Sequence, residues 1–333
     1  MNVTNVSRLM IAGAVLMLTG CAVAATPALN GQGTRLLQSF ESGRGAAPFS
    51  NAGAPGGLKR GLYVLASSNI SGFTADNRDN KPPFCSFVGP SSPPGTIAFD
   101  TKGRMIVPDY VSSTITVYAA PTSPKACGKM LGVIRDSYGQ PVDAASVDAV
   151  NGRIFVVADQ QVDICTLRRG CTRSLSGPNL SPAASIALSR DGDCWAEGDG
   201  VSGPGVLDYF KGCDSAGQGT TGYFGDGDNY GGLDIDRHGN IVSIFANYHN
   251  SPAVYVYSGC NPACTMLSGP LPLRGTGTYG RLNKDSTEFA AADYQNSSVD
   301  VYKYSPTTLT FEYSFSKGLS DVEGVAFNPS ADQ

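Results

Sequence analysis

The sequence predicts an all-β fold, a six-bladed β-propeller closed by pairing of the C-terminal strand with the N-terminal blade. Three observations support it: the composition, two strand-and-turn units that recur about every 39–50 residues, and half-blades at the two ends of the chain. Gly (41 residues) and Pro (21) are abundant, while charged residues make up only 16%. This composition favours short strands joined by tight turns over packed helices.

The first recurring unit is a β-hairpin. It consists of a strand end, a polar turn rich in Asn and Ser, and a second strand in which apolar and polar residues alternate, which is typical of hairpins. Its clearest copies cover 108–118, 246–257 and 292–302.

The second unit, an apolar strand followed by a polar turn, lies upstream of the hairpins. It is clearest at 95–103, 184–192 and 231–239, with weaker copies near Ala145 and Tyr279. The spacing of the copies is that of four-stranded propeller blades. We expect the outer strands of five blades at 127–134, 171–175, 222–224, 264–267 and 311–315.

The two ends of the chain supply the sixth blade. Residues 322–332 match an innermost strand and its turn, whereas the region from residue 61 onward begins in the middle of a blade. We expect 322–327 to pair beside 61–66, because this pairing closes the ring and removes an unpaired sheet edge. The propeller domain is then predicted to cover 58–333.

Two segments carry the repeat best, Leu233-Asp-Ile-Asp-Arg-His-Gly-Asn-Ile241 and Ala292-Asp-Tyr-Gln-Asn-Ser-Ser298. They resemble the NHL repeat of six-bladed propellers, and the resemblance spans about residues 61–333 with loosely matching motifs. It implies the fold but says little about function, because one fold serves many unrelated functions.

Residues 1–20 predict a signal peptide of the lipoprotein type. Arg8 precedes an apolar run over 9–18, and Leu18-Thr19-Gly20-Cys21 then resembles the bacterial lipobox. The resemblance implies lipidation of Cys21, by more than one acyl chain as stable anchoring requires. It also implies an outer membrane in a didermal cell, because Ala22 is not the Asp that retains enteric lipoproteins at the inner membrane. An ordinary signal peptide, cut at 23–25 to release a secreted protein, is the alternative.

Residues 21–57 predict a flexible tether rich in Gly, Ala, Ser and Pro, with a possible docking segment at Leu36, Leu37 and Phe40. Since no later stretch is long and apolar enough to span a bilayer, we expect membrane contact through the lipid anchor only. The net charge of −4 offers no basic field for nucleic acid. We expect a monomer.

Eight cysteines remain beyond Cys21, and an even number in an exported chain predicts disulfides. Their positions in the predicted blades place two pairs across short turns and one across paired strands, and leave the last pair by elimination. The predicted pairs are Cys165–Cys171, Cys260–Cys264, Cys194–Cys213 and Cys85–Cys127. A zinc site at Cys260 and Cys264 is the alternative, which the absence of a nearby His disfavours.

One enzymatic alternative is a metal-dependent hydrolase or lyase, because Val322-Glu323-Gly324-Val325 resembles the Glu-Gly motif of gluconolactonase-like propellers. That family holds a divalent ion in the channel with several oxygen ligands. The positions equivalent to Glu323 offer no other carboxylate; they are Gly95, Ala184, Gly231 and Tyr279. We therefore expect Glu323 to be a solvated channel-mouth residue and the protein to need no cofactor, a divalent ion in the channel being the alternative. A quinone-dependent oxidoreductase has no supporting motif.

Few residues point to a ligand site. Asp226, Asp228 and Tyr230, in a loop between blades, are candidate ligand-binding residues together with Glu323, although the sequence favours a plain acidic turn for this loop. We predict no catalytic residues, because His238 and His249 lie in turns at different ends of a blade and cannot form a triad. The predicted function is therefore a non-catalytic binding or interaction scaffold in the cell envelope, for a protein, peptide or carbohydrate.

Three dipeptides repeat in the hairpins: Asp109-Tyr110, Asn247-Tyr248 and Asp293-Tyr294. They either form a ring suited to a peptide or sugar, or cap the turns through Asp and Asn while Tyr packs between blades. Repetition favours the second interpretation, since a ligand site needs different groups in different blades. We expect Trp195 also to pack between blades.

Overall fold

The computed structural model describes residues 61–91, 95–109, 111–121, 126–135, 147–150, 152–158, 160–180, 183–198, 206–223, 232–245, 252–275 and 277–328. Within these ranges, 24 β-strands form six four-stranded antiparallel sheets. The predicted six-bladed β-propeller is confirmed. The signal peptide, Cys21, the tether and residues 226–230 lie outside the described residues, as do Tyr110, Asn247, Tyr248 and His249.

The strands of each blade are given in order from the innermost to the outermost. Blade 1 contains β24 (Val322–Asn328), β1 (Gly61–Ala66), β2 (Asn69–Thr74) and β3 (Cys85–Val88). Blade 2 contains β4 (Ala98–Phe99), β5 (Met105–Asp109), β6 (Thr114–Tyr118) and β7 (Met130–Arg135). Blade 3 contains β8 (Val147–Val150), β9 (Arg153–Ala158), β10 (Gln161–Thr166) and β11 (Gly170–Ser176).

Blade 4 contains β12 (Ala183–Leu188), β13 (Cys194–Gly198), β14 (Val206–Phe210) and β15 (Gln218–Gly219). Blade 5 contains β16 (Leu233–Ile235), β17 (Ile241–Phe245), β18 (Ala253–Ser258) and β19 (Thr265–Pro272). Blade 6 contains β20 (Gly277–Leu282), β21 (Glu288–Asp293), β22 (Ser298–Ser305) and β23 (Thr308–Phe315). A 3-10 turn, Lys211–Cys213, follows β14. The described part of the chain contains no helix with the length and apolarity needed to span a bilayer.

The ring closes as predicted. β24 pairs antiparallel with β1, with Gly61 opposite Asn328 and Val64 opposite Val325. The last described strand therefore completes the sheet that the first one begins, so blade 1 has no free inner edge.

The hydrophobic core lies between neighbouring blades. In β9, Ile154 and Val156 pack with residues of blade 2, whereas Phe155 and Val157 pack with residues of blade 4. Because both faces of the second strand are buried, its sequence is a continuous apolar run rather than an alternating one.

The turns between innermost and second strands are closed by their first polar residue. Asp236 accepts hydrogen bonds from the backbone N–H groups of His238 and Asn240, at 2.8 and 2.9 Å. Asp100 and Asn283 accept equivalent backbone hydrogen bonds in blades 2 and 6. The Asp-x-x-Gly-Asn pattern of the repeat is therefore a turn-capping device, in which Asp bonds its own following backbone.

The structure contains the four predicted disulfides: Cys85–Cys127, Cys165–Cys171, Cys194–Cys213 and Cys260–Cys264. The first joins the outer regions of blades 1 and 2, and the other three lie within single blades.

The predicted outer strand of blade 4 at 222–224 is wrong. The outer strand is Gln218–Gly219, after which the chain crosses to blade 5. There Thr221 N donates to Pro262 O at 3.0 Å, and Cys264 N donates to Thr221 O at 2.7 Å. Tyr223 then packs against Tyr257 with 4.9 Å between ring centroids. Tyr223 is therefore apolar surface buried between blades and does not belong to a strand of blade 4.

Trp195 packs between blades as predicted. Its Nε1 donates to the Cys260 carbonyl of blade 5 at 2.5 Å, and the side chain is buried.

Candidate functional site

The antiparallel strand order divides the propeller into two faces. The face that carries the turns between second and third strands and the connections between blades is called the upper face here; the opposite face is the lower face. Glu323 lies at the upper end of β24, near the mouth of the central channel.

The innermost strands meet closely at this mouth. A Cβ built on Gly324 of blade 1 would overlap the carbonyl oxygen of Gly95, and one on Gly95 would overlap the ring of Tyr279. The same ring lies 3.4 Å from the Cβ position of Gly232. Tyr279 of blade 6 thus contacts blades 2 and 5 at once, so its buried ring lies near the axis and narrows the channel.

Glu323 is half-buried. Burial raises the pKa of Glu323 above its ordinary value, and the charge of Asp321 adds to this increase. Gly95 lies beside β24, the strand of Glu323, and the Tyr279 ring lies beside Gly95, as expected for positions equivalent to Glu323 in their blades. The side chain of Ala184 and all of Gly231 lie outside the described residues.

The described residues at the mouth do not form a ligand set for a divalent ion of the gluconolactonase kind. Within the described ranges, no group of three or more His, Cys, Asp or Glu side chains is arranged to hold a metal. Asp321, the carboxylate that acts electrostatically on Glu323, is exposed. Hard cations require more converging oxygen ligands than this pair supplies.

Two buried carboxylates near the upper face hold turns and blade connections. Asp109 accepts from the backbone N–H groups of Ser91 and Ser112 at 2.9 and 3.1 Å. Asp208 accepts from Asn179 N at 2.9 Å. Both carboxylates therefore have a structural role, because they accept hydrogen bonds from the backbone of neighbouring turns and connections.

The pKa values of these carboxyls reflect two opposing effects. Burial acts to raise the pKa of Asp109, but hydrogen bonds from Ser112 and Ser91 outweigh it and lower the value. Burial raises the pKa of Asp208, because its two hydrogen bonds from Asn179 compensate only in part.

The capping interpretation of the Asp-Tyr pairs holds at both described acids. Asp293 accepts from Asn296 N at 3.2 Å, as Asp109 does from Ser112. The packing interpretation is wrong for Tyr294, which is 50% exposed because it occupies the tip of the turn rather than a strand. Val111 in the corresponding turn of blade 2 is 72% exposed. These turns therefore present apolar and aromatic surface on the upper face.

A buried polar network between blades 4 and 5 escaped sequence reasoning. The Tyr223 hydroxyl donates to Glu197 Oε1 at 2.7 Å and lies 2.8 Å from Ser243 Oγ. Glu197 and Ser243 are fully buried. Burial, followed by the Glu197 charge, raises the pKa of Tyr223 well above its ordinary value. The signal in the sequence was a lone Glu in the otherwise apolar strand Cys194–Gly198.

A second buried polar link joins the innermost strands of blades 5 and 6. Arg281 Nη1 donates to Leu233 O at 3.0 Å and lies 3.7 Å from Asp234 Oδ1. Leu282 N donates to Asp234 Oδ2 at 2.7 Å. This pair ties two strands of the inner ring and has a structural role.

Comparison with known proteins supports the fold alone. No family model and no curated protein matches the chain. It is similar to a functionally unknown protein from Desulfotomaculum acetoxidans, at 17% identity and TM-score 0.52, covering 78% of this chain and 81% of that one. It is also similar to a protein from Lactobacillus plantarum, at 12% identity and TM-score 0.51, covering 80% and 86%.

Proposed function

We propose that this chain is an exported, lipid-anchored propeller of the NHL-like type that acts as a non-catalytic binding scaffold through its upper face. One observation on the upper face carries the proposal. The buried carboxylates there hold turns and blade connections, whereas the side chains of Tyr294 and Val111 are exposed to solvent. Exposed aromatic and apolar side chains on the same face as a half-buried carboxylate suit a peptide, protein or carbohydrate partner.

The proposed location, outside the cytosol and anchored to a membrane by lipid, is supported by the cysteines and by the N-terminal sequence. Four disulfides suit an oxidising compartment outside the cytosol. The lipobox-like sequence Leu18–Cys21 then supplies the anchor. Metabolic labelling with a palmitate analogue tests it: the label is expected on the wild-type chain and absent from Cys21→Ala. A labelled Cys21→Ala chain would contradict the anchor.

The binding function is tested by screening the purified chain on a glycan array and against a displayed peptide library. We expect Tyr294→Ala and Glu323→Gln to weaken binding of the selected ligand by roughly tenfold or more. Met266→Ser, on the rim of blade 5, is the matched control and should leave binding unchanged. Equal loss in all three variants would mean that the ligand does not bind at the upper face.

The metal-dependent alternative makes a different prediction. A stoichiometric divalent ion in the purified protein that is lost in Glu323→Ala, together with lactone hydrolysis, would replace the scaffold proposal.

A further inference from the structure

We propose that the rim of blade 2 docks the propeller onto an anionic lipid surface. This docking surface consists of β7, the preceding Lys129, and the turn Leu167–Gly170 of blade 3. The inference deepens the envelope anchoring proposed above, since it gives the tethered propeller a defined orientation on the bilayer.

The apolar part of the docking surface is an exposed edge strand. Met130, Leu131 and Val133 are 60%, 44% and 38% exposed, and β7 is the outermost described strand of its sheet. The register shifts between Val117 and Tyr118, so Met130 and Leu131 follow one another at a β-bulge. An edge strand of this kind normally carries charged residues or proline, because exposed apolar edges invite unwanted association.

The basic part lies directly beside it. A Cβ built on Gly132 would lie 3.1 Å from Leu167 Cδ1, so the turn of blade 3 packs on the face of β7. Arg168 and Arg169 in this turn are exposed, as is Lys129 at the start of the strand. A chain with a net charge of −4 thus places four exposed cations, Lys129, Arg135, Arg168 and Arg169, on or beside this apolar edge strand.

The combination selects an anionic bilayer over a second copy of the chain. A second copy seated on this surface would bring the same exposed cations, Lys129, Arg168 and Arg169, close to their own copies, and like charges repel. An anionic bilayer accepts the apolar side chains at its interface and attracts each nearby cation. Both features of the surface are satisfied by this one occupant.

Blade 5 provides a matched control on another rim. Met266 and Leu267 of β19 are 50% and 43% exposed, and the turn of blade 6 touches this strand through a hydrogen bond from Ser268 Oγ to Pro306 O at 2.6 Å. Residues 259–264 and 306–307, which flank β19 as Lys129 and 167–170 flank β7, contain no charged residue. The two rims therefore share exposed apolar side chains and differ in charge.

The experiment is vesicle co-sedimentation of the chain from residue 21 onward with Cys21→Ser, which removes the acylation site. Vesicles of phosphatidylcholine alone are compared with vesicles containing about one third phosphatidylglycerol, at low and high salt. We expect binding to the anionic vesicles only, weakened by salt. Met130→Ser/Leu131→Ser/Val133→Ser and Arg168→Glu/Arg169→Glu should each lower partitioning by roughly tenfold or more. Met266→Ser/Leu267→Ser should remain within about twofold of wild type.

Circular dichroism and thermal unfolding establish that each variant is folded before its binding is compared. Equal binding to both vesicle types, or equal loss in the blade 5 control, would overturn the proposal. So would a concentration-dependent dimer in sedimentation velocity that the blade 2 variant abolishes, because the edge would then serve a second copy. Because the test chain carries no acyl group, failure of vesicle binding is separate from failure of palmitate labelling at Cys21.

Discussion

The upper and lower ends of the blades are stabilised in different ways. At the lower end, a turn is capped within four or five residues, as when Asp236 accepts from Asn240. At the upper end, carboxylates reach across the fold, as when Asp208 holds Asn179 from the connection between blades 3 and 4. The comparison teaches that the lower turns are capped locally, whereas the upper face combines local caps, as at Asp109 and Asp293, with carboxylates such as Asp208 that hold connections between blades.

The largest expected difference between the two ends concerns glycines. Gly324→Ala should destabilise the protein by about 3 kcal/mol or more, because the new Cβ would overlap the Gly95 carbonyl in the inner ring. Gly239→Ala at the lower end should cost about 1–2 kcal/mol, since its Cβ meets open space and only its φ of 79° opposes the change. Urea unfolding measures both. Equal losses would contradict the tight contact at the mouth.

A smaller difference in stability is expected when the polar side chains that hold each end, Asp208 and Asn283, are replaced. Asp208→Ala should cost about 2–3 kcal/mol, because two hydrogen bonds from Asn179 lose a buried acceptor. Asn283→Ala should cost about 1 kcal/mol as a local turn cap. Hydrogen exchange should show faster opening at 177–180 in the first variant alone. Unchanged exchange there would mean that Asp208 does not hold the connection.

Removing a buried tyrosine hydroxyl should also lower stability by different amounts at the two ends. Tyr223→Phe should cost about 1–2 kcal/mol, since it removes the described hydrogen bond to the fully buried Glu197. Tyr304→Phe should cost less than about 1 kcal/mol, because Asp236 keeps its other donors. Thermal unfolding of both variants shows which loses more stability. A larger loss of stability in Tyr304→Phe than in Tyr223→Phe would contradict this prediction.

The smallest expected effect is a difference in pH dependence between two upper carboxyls. The lowered pKa of Asp109 stabilises the fold above the ordinary Asp pKa, and this stability is lost as pH falls through the folded-state value. The pKa of Asp300 is raised, mainly by burial, so its contribution is present below the ordinary pKa and is lost as pH rises through the folded-state value.

The destabilisation by Asp109→Asn should therefore grow between about pH 2 and pH 7, while that by Asp300→Asn should shrink. Urea unfolding across this range measures both slopes. Two slopes of the same sign would contradict the opposite pKa shifts.

The sequence by itself determined the number of blades, their strand order and the closure of the ring. These follow from alternation and turn residues within short segments, such as 231–239, and from the two half-blades at the ends. It also determined the four disulfide pairs, because strand positions place the cysteines of three pairs side by side and leave Cys85 and Cys127 for each other.

Only the tertiary structure decided the short outer strand of blade 4, the exposure of Tyr294, the Glu197–Tyr223 network and the position of Tyr279 at the channel mouth. The outer strand, the network and the position of Tyr279 depend on residues from different blades, so no local pattern specifies them, whereas Tyr294 is exposed because it lies in a turn. Tyr223 is buried by a neighbouring blade, whereas Tyr294, in the turn that follows β21, is exposed. Burial of a side chain is a property of the assembled ring, because the surface that covers it comes from residues distant in the chain.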